Sequence, residues 1–322
     1  MRSGTTIIPR QIHRNLFTKS PICLTTTTTI ALKAVQNHIV RMSSANTPTV
    51  PRVSASLILL NPKNELLLVH RPTHSSTFPG SHVFPGGAVS PQDTPTQTTP
   101  LLETLKLCAL RETFEETGVL LTITPPPPTL TPTLLAEARK AIHDSALTFP
   151  SFLQSYGLTL NTSALHSFTK WITPKTVPRR FESQIFVTFV DGEQVPSHDG
   201  GVEVLSAKYL TPSRALQMSK DGELVFSPPQ FYLVRRIEEF VSVDNGGERG
   251  RRKVLEMADG EFGTMVMEPH PIRLLDGGKR VAMGLGERGD KEWAVVIEIP
   301  DDRKNGGLKG VELVRREHVA KL

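Results

Sequence analysis

The chain is short of cysteine, has no long apolar run and carries no acidic residue before Glu65. Its two cysteines, Cys23 and Cys108, provide neither a disulfide framework nor a thiolate zinc site, so a reducing compartment is expected. No apolar stretch approaches the roughly 20 residues with which a helix spans a bilayer, and no membrane span is expected. The missing acid at the N-terminus accounts for the basic balance. Residues 1–52 hold seven of the Lys and Arg, and without them the formal charge of +5 falls to −2. The body of the chain therefore carries no net basic signal, and no nucleic-acid partner is expected.

What is present suffices for a folded body. With 322 residues, 38% hydrophobic and 21% charged, the chain can bury one large core, or one core with an appendage. Both ends look like addresses. Residues 1–50 are rich in Ser, Thr and Arg and include the run Thr25–Thr29, the composition of a mitochondrial transit segment. A disordered tail, or sequence upstream of an alternative start at Met42, would have the same composition. At the other end Ala320, Lys321 and Leu322 resemble the SKL-type tripeptide that a peroxisomal import receptor reads. The peroxisome is the favoured address and the mitochondrion the alternative, with both reachable through the start at Met42.

After the leader, the apolar runs Val53–Leu60 and Leu66–Arg71 flank the turn-forming Asn61-Pro62-Lys63-Asn64 and predict a hairpin. Gly and Pro punctuate Phe78–Gly87, Ser90–Pro100 is a polar loop, and Leu101–Thr117 is a helix stopped by Gly118. A proline run, Pro125–Pro128, precedes two helical pieces, Leu134–Ser145 and Phe149–Leu158, that read as an insertion. Phe181–Val190 and Val202–Leu210 are strand candidates, and Pro229–Phe240 is a helix with Pro at its start. From Asp244 onward Gly-rich turns alternate with strand-like runs such as Trp293–Ile299 and Val311–Arg315. The expected division is a leader over 1–50, a domain over 51–242 with its helical insertion at about 133–170, and a β-rich extension over 243–322.

The chemistry is concentrated at the end of the helix before Gly118. Positions three and four apart share a helix face, so Glu112, Glu115 and Glu116 converge while Leu107, Leu110 and Phe114 point elsewhere. Three like charges near a helix C-terminus oppose both one another and the helix dipole, and ask for cations. Arg111, four residues before Glu115, supplies one. A hard divalent ion such as Mg²⁺, which favours a few carboxylates plus waters and phosphate oxygens, would supply the rest, and the substrate would be a phosphate ester or anhydride.

The plain alternative is a solvated acidic face, and a tighter pattern decides against it. Arg111-Glu112-Thr113-Phe114-Glu115-Glu116-Thr117-Gly118-Val119 resembles the second half of the Nudix box. Five fixed residues in that spacing would arise by chance with a probability on the order of one in ten thousand. Thr113 stands where the family has a more apolar residue. Glu103 fits the earlier Glu of the box, whereas the Gly of its first half is best matched by Gly87, which leaves ten inserted residues in the polar loop. Loop length of this kind is tolerated because closure entropy grows slowly.

Leu67-Leu68-Val69-His70-Arg71 and the Gly80 to Phe84-Pro85-Gly86-Gly87 stretch resemble a coenzyme A signature of one Nudix branch, with Ser76 where that signature has Arg. A closer resemblance is to the nineteenth-type Nudix group of peroxisomal acyl-CoA diphosphatases, at Phe78–Gly87, Cys108–Leu121, Trp171–Pro174 with Arg179-Arg180-Phe181, and Leu210–Leu216. The resemblance implies an α/β fold, the Nudix α/β/α sandwich with a mixed sheet, carrying the helical insertion and the β-rich extension. It also implies cleavage of CoA or acyl-CoA to adenosine 3′,5′-bisphosphate and (acyl-)4′-phosphopantetheine with Mg²⁺ or Mn²⁺ as cofactor.

Carried over, Glu112, Glu115 and Glu116 would be metal ligands, Arg111 their orienting partner, and Gly86 and Gly87 the backbone that approaches the substrate. Glu112, Glu115, Glu182 or Glu203 would be the general base, although Glu182 also reads as a strand residue paired with Arg179 or Arg180. Arg71, His74, Arg179 and Arg180 are candidates for the substrate phosphates. Trp171 and Phe181 would either stack on adenine or belong to the core. Two rival functions remain: a Nudix hydrolase of NADH, ADP-ribose or capped RNA, and a non-catalytic Nudix-fold binding module.

Overall fold

The computed structural model describes residues 50–75, 78–175, 177, 179–192, 194–199, 201, 203–241, 247–298 and 309–322. The leader, with Cys23 and Met42, and Ser76 lie outside them. Nine residues, β1 (Arg52–Leu60), form the central strand. It pairs in parallel with β6 (Phe181–Phe189) along its whole length, and at Leu60↔Leu66 in antiparallel fashion with β2 (Leu66–His70), which closes the expected hairpin. The near-continuous apolar character of β1 follows from burial on both sides of the sheet. Ala55, Leu57 and Leu59 face one core, whereas Ile58 and Leu60 face the other.

The mixed sheet runs β3 (His82–Val83), β2, β1, β6, β5 (His166–Ile172), β8 (Val266–Met267). A short strand, β4 (Gly86–Ala88), adds to β1 with Ala55↔Gly87 in register, and β7 (Ser206–Leu210) adds to β2. Helix α1 (Leu101–Thr117) lies on the Leu57 side of the sheet. Gly118 ends it with φ +73°, a left-handed turn that only glycine adopts without strain, and donates its N–H to Phe114 O at 2.8 Å.

The predicted insertion forms α2 (Pro132–His143) and α3 (Phe149–Ser155). Thr131 and Thr148 accept N–H bonds as their N-caps, each followed closely by Pro. Phe149 and Phe152 of α3 stack on Phe114 of α1 at 5.3 and 5.2 Å between ring centres. Burial of each such ring contributes about 1.5–3 kcal/mol, so the insertion is packed onto the acidic helix rather than appended to it.

The opposite side of the sheet is covered by α5 (Pro228–Val241), which follows α4 (Pro212–Lys220). Leu233, Val234, Ile237 and Val241 recur at helical spacing and are buried against Ile58, Leu68 and Ile185. Helices on both faces make the α/β/α sandwich that the family resemblance implied. Beyond it, β9 (His270–Leu275), β10 (Arg280–Gly284), β11 (Trp293–Glu298) and β12 (Lys309–Arg315) form a separate antiparallel sheet in the order β12-β11-β10-β9. Tyr232 of α5 donates its hydroxyl to Asp290 at 2.5 Å and so joins the two bodies.

The extension is less purely β than expected. It begins with α6 (Glu248–Asp259) and α7 (Glu261–Thr264), and its β8 joins the large sheet beside β5. The charge-dense Glu248-Arg249-Gly250-Arg251-Arg252-Lys253 stretch hid this helix behind a glycine, yet Val254 and Ala258 are buried one turn apart on its inner face. Of the strand expected over Val202–Leu210, Val202 lies outside the described residues and the strand among the rest is Ser206–Leu210. No helix among the described residues is long and apolar enough to cross a membrane. Val319 is buried in the small sheet's second core, while Ala320, Lys321 and Leu322 after it are exposed.

Candidate active site

The site is built where β4 turns into the polar loop and α1 returns over it. Arg111 is buried, and Asp93 of the 3₁₀ turn Pro91–Asp93 grips it with two prongs, Nε to Oδ1 at 2.7 Å and Nη2 to Oδ2 at 2.9 Å. Its Nη2 also donates to Ala88 O at 3.1 Å, and its Nη1 meets Glu112 at 2.9 Å and Glu115 at 3.2 Å. One guanidinium therefore ties loop, strand and helix together.

The Gly-Gly pair is required by what lies against it. A Cβ on Gly87 would sit 2.5 Å from the Glu112 carboxylate, and one on Gly86 would sit 2.4 Å from Ala55 O. With no side chains there, Gly86 N–H donates to Glu116 Oε2 at 3.0 Å and the Glu112 carboxylate rests on the Gly87 backbone. Arg71, just past β2, reaches to 3.8 Å from Glu116 Oε1 and donates to Ser75 Oγ. Thr113, the residue that looked too polar for the box, is fully buried and donates its hydroxyl to Ala109 O at 2.7 Å, so the helix satisfies it internally.

Burial pushes the carboxyls up. Glu112 is raised to about 7 by loss of solvent, against the pull of Arg111. Glu115 is raised by burial, again with Arg111 opposing, and Glu116 is raised well above the usual range by burial and then by the charge of Glu112. Burial weighs against the Arg111 charge, yet Asp93, Glu112 and Glu115 hold its pKa above the ordinary value. Glu203, exposed in the loop that Asp199 folds by accepting from the N–H of Gly201, Glu203 and Val204, adds its charge to all three glutamates.

The remaining predicted residues are placed as follows. Glu182 stands on β6 and pairs with Lys170 at 2.7 Å; this corrects the expected pairing with Arg179 or Arg180, because Lys170 lies diagonally across on β5, two residues before Ile172, which faces Glu182. Arg180 is buried, donates to Thr173 O at 3.0 Å and pairs with Glu268 at 3.6 Å, while Arg179 beside it is exposed. His74 is exposed in the turn after Arg71. Trp171 is buried edge-on to Tyr232, a core position, and Phe181 is half-buried at the start of β6. Glu103 lies in the first turn of α1, more than two turns before Glu112.

Two residues were missed. Asp93 was hidden in a loop read only as an insertion, although Ser90-Pro91-Gln92-Asp93 has the spacing of a capping turn, and Ser90 N–H does bond Asp93 at 2.8 Å. Arg139 of α2 donates to Glu115 O at 3.0 Å and to Ser197, thereby capping the carbonyl end of the acidic helix from the insertion.

Among the described residues no three His, Cys, Asp or Glu side chains form a ready metal cage. The donor set nonetheless fits a divalent cation. Asp93, Glu112, Glu115 and Glu116 face two guanidiniums, Arg111 and Arg71, and Glu115 Oε1 is buried without a hydrogen-bond partner. With all four carboxyls ionised the deficit is two positive charges, which a cation beside the unpartnered Glu115 oxygen would meet while holding the raised carboxyls in their charged form.

This strand–loop–helix arrangement, with Gly87 against Glu112 and Arg111 under the acidic face, defines a Nudix domain. Residues 96–237 match the family model described as the NUDT19 Nudix domain. The human protein named acyl-coenzyme A diphosphatase NUDT19 is 28% identical over 233 residues, which cover 56% of this chain and 62% of that protein. The Gallus gallus protein of the same name is 25% identical over 238 residues, covering 56% and 63%. The chain thus spans about three fifths of the length of these curated relatives. A Nudix hydrolase crystal structure from Alicyclobacillus acidocaldarius aligns with a TM-score of 0.50 at 24% identity over 59% of this chain and 91% of that one, which supports the fold.

Proposed function

We propose that the chain is a divalent-metal-dependent hydrolase of a nucleoside diphosphate linkage, and that its substrate is CoA or acyl-CoA, cleaved to adenosine 3′,5′-bisphosphate and (acyl-)4′-phosphopantetheine. The observation that carries the hydrolase reading is the buried acidic cluster with its charge deficit and the unpartnered Glu115 Oε1. The CoA reading rests on the names of the relatives.

In this reading Glu112, Glu115 and Glu116 hold Mg²⁺ or Mn²⁺. The ion, when bound, supplies charge to a phosphoryl oxygen and lowers the pKa of a water. Arg111, locked by Asp93, fixes the directions of Glu112 and Glu115. Gly86 and Gly87 make room for the Glu112 carboxylate and for the N–H bond to Glu116 rather than facing the diphosphate themselves, and Arg71 offers it a guanidinium from the strand side. Arg179 and His74 are exposed side chains that could meet the 3′-phosphate, and buried Arg180 holds the strand end beside Arg179. Glu203 is the favoured proton acceptor over Glu182, since its charge reaches the cluster whereas Glu182 is engaged by Lys170.

A panel of CoA, acyl-CoA, NADH, ADP-ribose and capped RNA with Mg²⁺ or Mn²⁺, read by product mass, tests the reading. Phosphopantetheine products support it; cleavage of NADH or ADP-ribose with CoA intact refutes the CoA assignment. We also propose peroxisomal import through exposed Ala320-Lys321-Leu322, which a fluorescent fusion that loses peroxisomal puncta on deletion of the three residues would support.

A further inference from the structure

The loop between β6 and β7 is fastened to the acidic centre from both of its ends. Gln194 accepts from Leu120 N–H at 3.0 Å and donates to Leu120 O at 3.2 Å, just beyond the end of α1. Ser197 N–H donates to Thr117 O at 2.9 Å, in the last turn of that helix. Val204 is fully buried beside Val69 and Val83, and Leu205 N–H donates to His70 O at 2.8 Å, next to the Arg71 that reaches Glu116. Between these anchors the Asp199 carboxylate folds the chain, accepting from the N–H of Gly201, Glu203 and Val204 at 3.0, 2.7 and 3.3 Å. Glu203 thus stands exposed one residue before a buried anchor, and its charge reaches Glu112, Glu115 and Glu116.

The helical insertion clasps this loop to the helix. Leu135, Arg139 and Ile142 recur at helical spacing on α2, so Arg139 lies on the face that packs into the core around α1. A buried cation needs acceptors close by, and Arg139 is only 7% exposed. Its Nε and Nη2 donate to Glu115 O at 3.3 and 3.0 Å, its Nη1 to Ser197 Oγ at 2.8 Å, and its Nη2 also to Ser197 O at 3.2 Å. Gly118 makes room for it, since a Cβ there would lie 3.1 Å from Nη1 and 3.4 Å from Ser197 Oγ. The last turn of α1 has no basic residue of its own, so the cation that suits its terminal carbonyls comes from the insertion.

A cap alone would need only the Glu115 contact, yet half of these bonds go to the loop. The guanidinium holds its donors in a fixed fork. The peptide of Glu115 and that of Ser197, six residues before Glu203, are therefore kept in register with each other.

We propose that Arg139 is the positioning residue that sets Glu203 beside the acidic centre as proton acceptor. The inference rests on the hydrolase reading and on the choice of Glu203 above, and it gives the helical insertion a task in the reaction. The water proton passes to the Glu203 carboxylate as the water oxygen attacks phosphorus and the leaving phosphate oxygen takes the bonding pair. Arg139 touches none of these atoms and acts through the place of the loop.

The test is a double-mutant cycle on the full chain with Mg²⁺ and acetyl-CoA, using Arg139→Ala, Glu203→Gln and the two together. Arg139→Ala lowers kcat at least about tenfold with KM within about twofold, whereas in the Glu203→Gln background the same change lowers kcat less than about twofold. Ser197→Ala, which removes only the hydroxyl that Arg139 donates to, shows the same pattern at about threefold and serves if Arg139→Ala does not fold. Independently of turnover, a nitroxide on Glu203→Cys in a Cys23→Ser background gives a broad, immobilised spectrum that narrows when Arg139→Ala is added; buried Cys108 stays unlabelled. Effects on kcat that add in the double variant, or a spectrum indifferent to Arg139, overturn the proposal. Glu203→Gln as fast as the parent also overturns it and removes Glu203 as proton acceptor, while leaving the CoA reading to the product masses. A parent that cleaves no diphosphate is the failure of the hydrolase reading; a narrowed spectrum then still supports the clasp, and an unchanged one overturns it.

Discussion

Asp93 and Arg111, eighteen residues apart, form a two-pronged ion pair with both members buried, at 2.7 and 2.9 Å. The pair fastens an inserted loop to the acidic helix. Removing one partner strands the other's charge, so Asp93→Ala is expected to destabilise the fold by about 3–5 kcal/mol in urea unfolding. Arg111→Lys should fold yet turn over at least about tenfold more slowly in a kinetic assay, since an ammonium cannot hold Asp93, Ala88 O and two glutamates at once.

Gly87→Ala places a methyl where the Glu112 carboxylate now lies. Glu112 must swing away, and turnover should drop at least about a hundredfold, as for other displaced catalytic groups. A kinetic assay beside a thermal melt checks this; parental turnover would mean that Glu112 is not held for catalysis.

His82 on β3 stacks on His70 at 4.2 Å, and its pKa is lowered to about 3 by burial, then by the charges of His70 and Lys208. A depressed histidine leaves the unfolded chain binding the extra proton, so its contribution is complete above about pH 6.5 and is lost as pH falls toward 3. Glu112 works in the opposite sense, since a raised carboxyl loses stability as pH climbs through about 7. The informative quantity is therefore the difference between parent and His82→Phe. That difference should shift by about 2 kcal/mol between about pH 7 and pH 5, with the variant the less acid-sensitive; equal slopes would contradict it.

Arg139→Ala removes the bonds to Glu115 O and Ser197. A loss of about 1–3 kcal/mol is expected, with hydrogen exchange rising at the C-terminal turn of α1 before other segments. Uniform exchange changes would show that the insertion does not cap that helix.

The sequence revealed what local rules govern. Helix α1 ran from Leu101 to the Gly118 stop as periodicity and glycine chemistry required, and the R-E-x-x-E-E spacing placed the carboxylates. It did not reveal Asp93, because a polar loop gives no sign of which residue turns inward to meet a guanidinium eighteen positions on. Nor did it show that Lys170 rather than Arg179 or Arg180 neutralises Glu182, which depends on register between β5 and β6. Helix α6 was masked by its glycine and charges, and tertiary burial of Val254 and Ala258 overrode that weak propensity.

The most direct test of the account is turnover of acyl-CoA with Mg²⁺ by Glu115→Gln and Glu116→Gln, each beside the parent and with the fold monitored by circular dichroism. The account predicts an active parent and variants that keep the fold but lose turnover by at least about a hundredfold, because an amide replaces charge where the cation is held. Variants as fast as the parent, or a parent inactive on every diphosphate offered, would contradict it.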